Sequence, residues 1–344
     1  MTSSTWFSMH DKNLLLHHGT SDLLALAQRR GAPLHKLLSG TRVFETDLTR
    51  PLGRICHQDW FQIIGNCQLQ LKSPELPFLL GAAILHNPYI SLCQALLAAA
   101  NLTQALQLFY YYRHQLFPGM YLQLLDQPDA LILSLKSAYP ANQPQFNLWV
   151  VLSLLHTLVK QQCGKTEGFC VYFRDAAPQT TVHLFQHLGQ AIIFNQPFDG
   201  VKIEKTLLRR PSTHHHAKQL QAARRSCTQL SRILPKRPSL AEFIYQQQRK
   251  ALPQVFTADM LACHLGLSHS VFRRLLTQEA VNFTKVIDDV RQDRAQQLLQ
   301  TKSCSNRELA SLLGYSDEHN FRRAFKRWTG FIPSHFRRCL GLIS

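Results

Sequence analysis

Apolar residues in the first part of the chain recur at steps of three and four, which is the spacing of the buried face of a helix. Asp22 stands before one such segment as an N-cap, and the pattern continues through 90–112. The same spacing returns over 145–160, with Phe146 and Trp149 on the apolar face. The chain is therefore predicted to begin with a group of helices.

Shorter apolar runs that are typical of strands follow these helices. Residues 120–125 and 130–135 are joined by Asp-Gln-Pro-Asp, which predicts a hairpin. Two more strands are predicted over 169–173 and 191–194, with a short helix over 180–188 between them. We expect a small antiparallel sheet behind the helices, and hence an α+β domain over residues 1–208.

A basic and polar stretch over 209–237 is predicted to be a linker. It begins at Arg209-Arg210-Pro211 and ends near Pro235 and Pro238, with a short basic helix over 220–234. It also contains three consecutive histidines, 214–216. Imidazole binds zinc, but three adjacent side chains on a helix cannot all face one ion, so we expect a solvated segment and no metal site.

The first of two similar patterns lies in 257–278. A helix start at Thr257 is followed by an apolar helix, a glycine at Gly266 and a second helix over 269–278. Ala262 stands four residues before the glycine, where two crossing helices need a small side chain, and glycine accepts the positive φ of the turn. This arrangement is typical of a helix-turn-helix motif.

The second pattern lies in 305–328. Ser305 and Glu308 form a capping box, Ala310 stands four residues before Gly314, and a helix over 317–328 follows. The two glycines are separated by 48 positions. A single match of this kind occurs in many helical hairpins, whereas two in tandem favour a DNA-binding domain, which we place at 238–340.

One continuous helix is predicted between the two motifs, over 283–301. Its length of about 30 Å, at 1.5 Å per residue, is close to one turn of DNA. A rigid helix of this length would place two recognition helices in successive major grooves. The fold class is therefore mainly α: an α+β domain, then an all-α domain with two helix-turn-helix motifs joined by a linker helix.

The positive charge is concentrated in the second part of the chain. The net charge is +17, and residues 200–344 carry +15 of it. A nearly neutral first domain and a strongly basic second part indicate a polyanionic partner for the second part alone. Double-stranded DNA is the partner that fits the two motifs.

Several other classes of protein are disfavoured. The nine cysteines have irregular spacing and no Cys-x-x-Cys pair, which predicts buried, reduced thiols without a disulfide framework or structural zinc. No Ser-His-Asp elbow, phosphate loop or His-Glu-x-x-His motif occurs in the first domain, so we expect neither an enzyme nor a cofactor. No membrane-spanning stretch or secretory signal is visible, and we expect a cytoplasmic protein.

The residues after the second glycine carry a family resemblance. Gly314-Tyr315-Ser316-Asp317, Asn320-Phe321, 324–327, Gly330, Pro333 and Phe336-Arg337 resemble the signature of the AraC/XylS family of transcriptional regulators. Arg291, Ala295, Leu298 and Leu299 are similar to the linker helix of that family. The match covers about 239–338. One departure is Ala280-Val281, where relatives commonly have glycine before the aromatic residue matched by Phe283.

The first domain resembles the effector domain of the ornithine/arginine-type branch of these regulators. The resemblance rests on 34–38, 76–81 and 194–200. It does not extend to the all-β sugar pocket of the arabinose regulator, so a sugar ligand does not carry over. The effector-binding residues and the effector itself are left open.

Candidate DNA contacts follow from the faces of the two recognition helices. Apolar Phe272 and Phe321 fix the buried faces, and the polar residues on the opposite faces remain for DNA. The resemblance implies base contacts at three of them, Ser270, Arg273 and Arg274. The expected base-contacting residues are His269, Ser270, Arg273, Arg274, Glu318, His319, Asn320 and Arg323, and the expected phosphate-contacting residues are Arg322, Lys326 and Arg327. For any one arginine a solvated surface position is a serious alternative, whereas for the whole set DNA contact is strongly favoured.

These observations predict a sequence-specific transcriptional regulator whose first domain senses a small molecule. The resemblance implies activation, with RNA polymerase and a second copy of the chain as further partners. The alternative is a ligand-independent DNA-binding protein whose first domain only dimerises. An alkyl-transfer repair enzyme, which some relatives carry, needs a closely spaced cysteine cluster that Cys56/Cys67 and Cys163/Cys170 do not provide.

Overall fold

The computed structural model describes residues 5–139, 144–234, 236–301 and 304–339. The helices of the first part are α1 Ser21–Arg29, α2 Leu34–Leu37, α3 His57–Leu71, α4 Leu76–His86, α5 Ser91–Leu97, α6 Leu102–Tyr112, α7 Pro144–Cys163, α8 Val182–Leu188, α9 Lys205–Leu208 and α10 Ala217–Ile233. Those of the second part are α11 Leu240–Ala251, α12 Ala258–His264, α13 His269–Gln278, α14 Phe283–Thr301, α15 Asn306–Leu312, α16 Glu318–Thr329 and α17 Pro333–Cys339. The strands are β1 Leu14–Leu15, β2 Arg54–Ile55, β3 Met120–Asp126, β4 Ala130–Ser137, β5 Phe169–Tyr172, β6 Ile192–Ile193 and β7 Gly200–Glu204.

The core of the first domain is centred on the contact between α4 and α7. Gly81 makes this contact possible, because a Cβ at this position would lie 2.3 Å from the carbonyl oxygen of Val150. Ser153 of α7 donates a hydrogen bond of 2.6 Å to the carbonyl oxygen of Phe78 in α4. Two mostly apolar helices thus pack with their backbones close together. The helices and the strands of this domain confirm the predicted α+β class.

The sheet differs from the prediction in two respects. Its five strands follow the order β3-β4-β7-β5-β6, and β5 pairs with β6 in parallel. The sheet is therefore mixed, whereas an antiparallel one was expected. The strand β7, which lies in the middle of the sheet, was not predicted. The strand is defined by its pairing with β4 on one side and β5 on the other.

The segment 90–112, where the apolar spacing predicts helical structure, consists of two helices, α5 and α6. Asn101 has an extended backbone, and its side chain accepts a hydrogen bond from the backbone N–H of Gln104. This N-cap ends the first pattern and begins α6. The apolar spacing continues through the break because both helices face the same core.

Much of the predicted linker is an ordered helix packed on the first domain. Three side chains of α10, Leu220, Ala223 and Cys227, are buried in the first core, while the basic side chains lie outside. Gln115 donates hydrogen bonds to the carbonyl oxygen of Cys227 and to Ser231 Oγ. The histidine stretch before α10 also contacts the domain, since His215 Nδ1 lies 3.0 Å from the carbonyl oxygen of Ala98. The boundary residue Pro235 lies outside the described residues.

Two further apolar cores form the second domain. One contains Phe272 and residues of α11, α12 and the first half of α14; the other contains Phe321, Phe325 and the second half of α14. The first of these cores also includes Phe7 and Met9 from the start of the chain and Tyr139, which lies just after β4. The first domain and the first helix-turn-helix unit therefore share one core, which was not predicted.

Within the described residues, no single helix is long and apolar enough to cross a membrane. By length and composition alone, the bent pair formed by α4 and α5 could do so, with 81° between its two helices.

Candidate DNA-binding surface

The two predicted turns share one backbone geometry. Gly266 has φ +68° and Gly314 has φ +74°, so both adopt the left-handed conformation that glycine favours. In each motif the residue after the glycine donates its N–H to the alanine four residues before the glycine. These hydrogen bonds run from Leu267 to Ala262 and from Tyr315 to Ala310, both 2.9 Å. They close the end of the first helix and fix the direction of the second.

The helix starts are capped as the sequence predicts. The Thr257 side chain accepts from the N–H of Met260 at 3.2 Å, and the Ser305 side chain accepts from the N–H of Glu308 at 3.2 Å. The Glu308 carboxylate accepts in return from the N–H of Ser305, which completes the capping box. The recognition helix α16 is capped by Asp317.

The second turn is also held by the rest of the domain. A Cβ at Gly314 would lie 2.0 Å from the carbonyl oxygen of Pro253, which precedes α12. Arg291 of the linker helix donates from Nε to the carbonyl oxygen of Leu313 at 3.1 Å and stacks over the Tyr315 ring at 4.6 Å. The family-like Arg291 thus binds the turn, and the two units contact each other there.

Exposure separates the residues of the first recognition helix, α13. Phe272 is buried, whereas Arg273 and Arg274 are exposed and, within the described residues, make no side-chain hydrogen bond or ion pair. Ser270 is exposed, and its Oγ lies 3.2 Å from that of Ser268. His269 is paired with Asp259 of α12. The two arginines are therefore free to reach DNA.

The second recognition helix, α16, has more internal contacts at its start. Asn320 donates from Nδ2 to Ser316 Oγ and Asp317 Oδ2 and accepts from Arg323 Nη2 at 2.6 Å. Glu318 accepts a hydrogen bond of 3.1 Å from Asn306 in α15. These two side chains would have to exchange their partners in order to read bases. His319 is exposed.

The three predicted phosphate-binding residues are all exposed. Arg322 and Lys326 have, within the described residues, no ion pair. Arg327 instead donates to both oxygens of Asp288 in the linker helix, at 2.9 and 3.1 Å. A contact between Arg327 and DNA would compete with this pair.

The linker helix carries a buried polar face that the sequence analysis missed. Gln292, Asp293 and Gln296 are buried, and Asp293 contacts the first domain through Lys136 Nζ at 2.8 Å. Arg174 donates to Gln292 at 2.9 Å. The sequence feature that could have indicated this face is the presence of three acidic residues within six positions, 288–293, of an otherwise basic domain.

Eight cysteines lie in the described residues with their side chains, and all eight have free thiols. Five are buried, as expected, but Cys263 is exposed on the first motif. Burial raises the pKa of the Cys67 and Cys227 thiols to about 12. No group of three histidine, cysteine or acidic side chains in the described part of the chain is arranged to hold a metal ion.

Comparison with known proteins gives two family matches. A model described as a helix-turn-helix domain matches residues 261–339. A model described as the arabinose-binding domain of the AraC transcription regulator, N-terminal, matches residues 31–212 and thus more than half of the chain. The chain belongs to the AraC family of transcription regulators. It is accordingly a DNA-binding regulator, and the resemblance found in the sequence is confirmed.

The relatives of this AraC-family regulator are themselves transcriptional regulators. The ornithine utilization regulator of Pseudomonas aeruginosa is 28% identical over 92% of this chain and 94% of its own length. The regulator VirS of Mycobacterium tuberculosis is 26% identical over 48% of each chain. The crystal structure of the regulator CdpR from Pseudomonas aeruginosa covers 93% of this chain and 96% of its own, at 21% identity and a TM-score of 0.43.

The departure from the family signature has a structural counterpart. Ala280 has φ +51°, the left-handed conformation that glycine adopts without strain. Ala280 thus lies in the turn before the linker helix. This turn is held by the N–H of Val281, which donates to the carbonyl oxygen of Leu276 at 2.8 Å.

The aromatic run 110–112 lies at the contact between the domains. Arg113 after this run pairs with Glu242 of α11 at 2.6 Å. The Lys236 ammonium lies 4.4 Å from the centre of the Tyr111 ring. The run thus contributes to the packing of the domains against each other.

Proposed function

We propose that this AraC-family regulator reads an asymmetric DNA site with α13 and α16 in successive major grooves. The observation that supports this is the single linker helix α14, which joins both motifs and packs into both of their cores. Its 19 residues span about 28 Å at 1.5 Å per residue, close to the 34–36 Å of one DNA turn. A monomer can therefore recognise a site without two-fold symmetry.

Within this arrangement, each candidate polar residue of the two recognition helices has a proposed role. Arginine reads guanine through O6 and N7, asparagine suits adenine, and glutamate accepts from cytosine. Arg322, Lys326 and Arg327 bind phosphates and set the register on the duplex. The proposed base readers remain His269, Ser270, Arg273, Arg274, Glu318, His319, Asn320 and Arg323.

We also propose that the first domain senses a small-molecule effector and thereby activates transcription through RNA polymerase. The support is that the helix that joins the two motifs is bonded to the first domain, through Lys136 of β4 and through Arg174 just after β5. A ligand that favours one arrangement of the two domains would shift the DNA-binding state. Because the relative that matches over 92% of this chain is named for ornithine utilization, ornithine is among the first compounds to test.

The DNA-binding proposal is tested by selecting genomic fragments with the purified full-length protein at two salt concentrations. We expect a narrow set of fragments to survive the higher salt and to share one asymmetric site that spans two major grooves. Loss of all fragments without sequence preference would leave only electrostatic binding and would refute the proposed docking.

The alternative, a ligand-independent protein whose first domain only dimerises, needs separate measurements. Thermal unfolding in the presence of candidate metabolites should show a higher midpoint with the effector, since a ligand of the native state stabilises it. Light scattering during gel filtration gives the oligomeric state. A dimer with no response to any metabolite would favour the alternative.

A further inference from the structure

A cavity of about 690 Å³ lies between the sheet of the first domain and the linker helix α14. Its size falls within the range of small-molecule sites. One wall is formed by β4, α7 and the 194–200 segment, and the other by residues 281–292 at the start of α14 and just before it. The cavity thus has walls from both domains.

The segment 194–200, which the sequence analysis singled out and assigned no role, builds much of this site. The N–H of Gln196 donates to the carbonyl oxygen of Phe173, and the carbonyl oxygen of Pro197 accepts from Gln292 of α14 at 2.5 Å. Asp199 accepts from the N–H of Arg174 at 2.9 Å. The segment is therefore held in place between the sheet and the linker helix.

Several of the charged groups around the cavity are paired. Lys136 contacts Asp293 at 2.8 Å and Asp289 at 3.8 Å, and Arg174 lies 3.9 Å from Asp289. These contacts join the two walls at one side of the cavity. They leave three charged side chains of the lining without an ion pair in the described residues, namely Asp175, Asp199 and Lys285.

Asp175 is exposed. The other two are the partly buried Asp199 on the first domain and Lys285 on α14. Within the described residues, neither side chain forms an ion pair within 4.0 Å. Burial raises the pKa of Asp199, and the charges of Arg174 and Lys285 act in the opposite direction more weakly. A carboxylate and an ammonium group thus face the same cavity from opposite walls without contacting each other.

The space between them offers apolar contacts and one unused polar group. Trp149 and Phe194 line the cavity and are only partly buried by the protein. Ser134, also in the lining, is buried, and its Oγ has no hydrogen-bond partner within the described residues. A buried hydroxyl without a partner is unfavourable, and a polar group of a ligand would satisfy it.

We propose that this cavity binds a small zwitterion of the amino-acid class, with its ammonium group beside Asp199 and its carboxylate beside Lys285. Its apolar part lies against Trp149 and Phe194. This inference rests on the proposed effector response and gives it a site and a ligand class. A ligand bound to both walls strengthens the attachment of the linker helix to the first domain, and so changes the arrangement of the two motifs.

The test uses titration calorimetry of the full chain with the genetically encoded amino acids and L-ornithine. The tightest binder is then compared with the same molecule lacking its α-ammonium group and lacking its carboxylate. For L-leucine, for example, these are 4-methylpentanoate and 3-methylbutylamine. We expect each single-charge analogue to bind at least about tenfold more weakly, because each loses one charge-assisted contact.

Two variants locate the site. Asp199→Asn and Lys285→Gln should each weaken the binding of the zwitterion by about tenfold or more. The matched controls are Asp126→Asn and Lys250→Gln, which remove a carboxylate and an ammonium group from positions outside the cavity lining. Both controls should bind as the parent chain does.

Three results would overturn the inference: no amino acid binds, the single-charge analogues bind as well as the zwitterion, or Lys285→Gln binds normally. The selection of genomic DNA is carried out separately on the same protein. Sequence-specific DNA binding without any zwitterion binding would refute this site and leave DNA recognition intact. Zwitterion binding without DNA specificity would refute the proposed docking instead.

Discussion

Lys136 Nζ and Asp293 Oδ2 lie 2.8 Å apart and join the sheet of the first domain to the middle of the linker helix. Their side chains are 12% and 5% exposed, so the pair is largely removed from water. Tyr245 donates a further hydrogen bond of 2.5 Å to the same carboxylate. Burial nevertheless raises the pKa of Asp293, more strongly than Lys136 lowers it. The charge on Asp293 thus depends on its partners in the interface.

We expect Lys136→Met to lower the free energy of unfolding by about 3–5 kcal/mol, because it leaves a buried carboxylate without its partner. The measurement is urea unfolding. Lys205→Met is the matched control, since Lys205 pairs with Asp126, which is 76% exposed, and such pairs contribute at most about 1 kcal/mol. Equal losses of unfolding free energy in the two variants would show that the buried pair stabilises the protein no more than the exposed pair does.

Arg323→Ala should weaken binding to the selected DNA site by about 1–3 kcal/mol and relax the preference at one base position. The physical reason is the loss of a guanidinium group that we propose to read a base edge. Titrating the variant against the selected site and against single-base variants of it measures both effects. An unchanged preference at every position would remove Arg323 from the base readers.

Lys326→Ala should weaken binding to all sequences alike and reduce the salt dependence by about one counterion, because a phosphate contact carries no sequence information. Titration at several salt concentrations measures this slope. If this variant instead lost preference at one base and kept its slope, the assignments of Lys326 and Arg323 would have to be exchanged.

Gly314→Ala should destabilise the protein by about 1–3 kcal/mol more than Gly266→Ala does, because only the first variant adds a methyl group where there is no space for it. Both glycines have positive φ, so both variants carry the same conformational penalty. Only at Gly314 would the new Cβ collide with a backbone oxygen, that of Pro253, whereas Gly266 faces open space. Thermal unfolding of the two variants measures the difference, and similar midpoints would contradict the observed contact.

His57 gives the protein a pH dependence with a defined sign. Burial lowers the pKa of His57 to about 3, so below its ordinary value of 6.5 the unfolded chain binds a proton that the folded chain does not. Stability should therefore fall as the pH drops from about 6.5 towards 3, by up to about 1.4 kcal/mol per pH unit for this group.

His57→Phe tests this prediction, because phenylalanine keeps a ring stacked on Phe7 and removes the titrating group. The free energy of unfolding, measured at pH 7, 6 and 5, should decline less steeply in the variant. If the free energy of unfolding declined equally with pH in the two proteins, His57 would be excluded as a source of the pH dependence.

The sequence alone determined the second domain in considerable detail. The glycines of both turns, the alanines at the helix crossings and the capping residues are local features, and each stabilises the same structure through contacts within a few positions. The linker helix was found at 283–301, as it lies in the structure. For this reason the proposed DNA-contacting residues could be named before any tertiary information.

Tertiary structure decided how the two domains are joined. The strand β7 exists only through its neighbours, the supposed linker folds as α10 onto the first core, and Phe7 and Met9 enter the core of the first helix-turn-helix unit. Lys136 and Asp293 are 157 positions apart, and their pairing has no local signature. Contacts of this kind depend on the position of whole elements in space, and local sequence patterns do not encode that position.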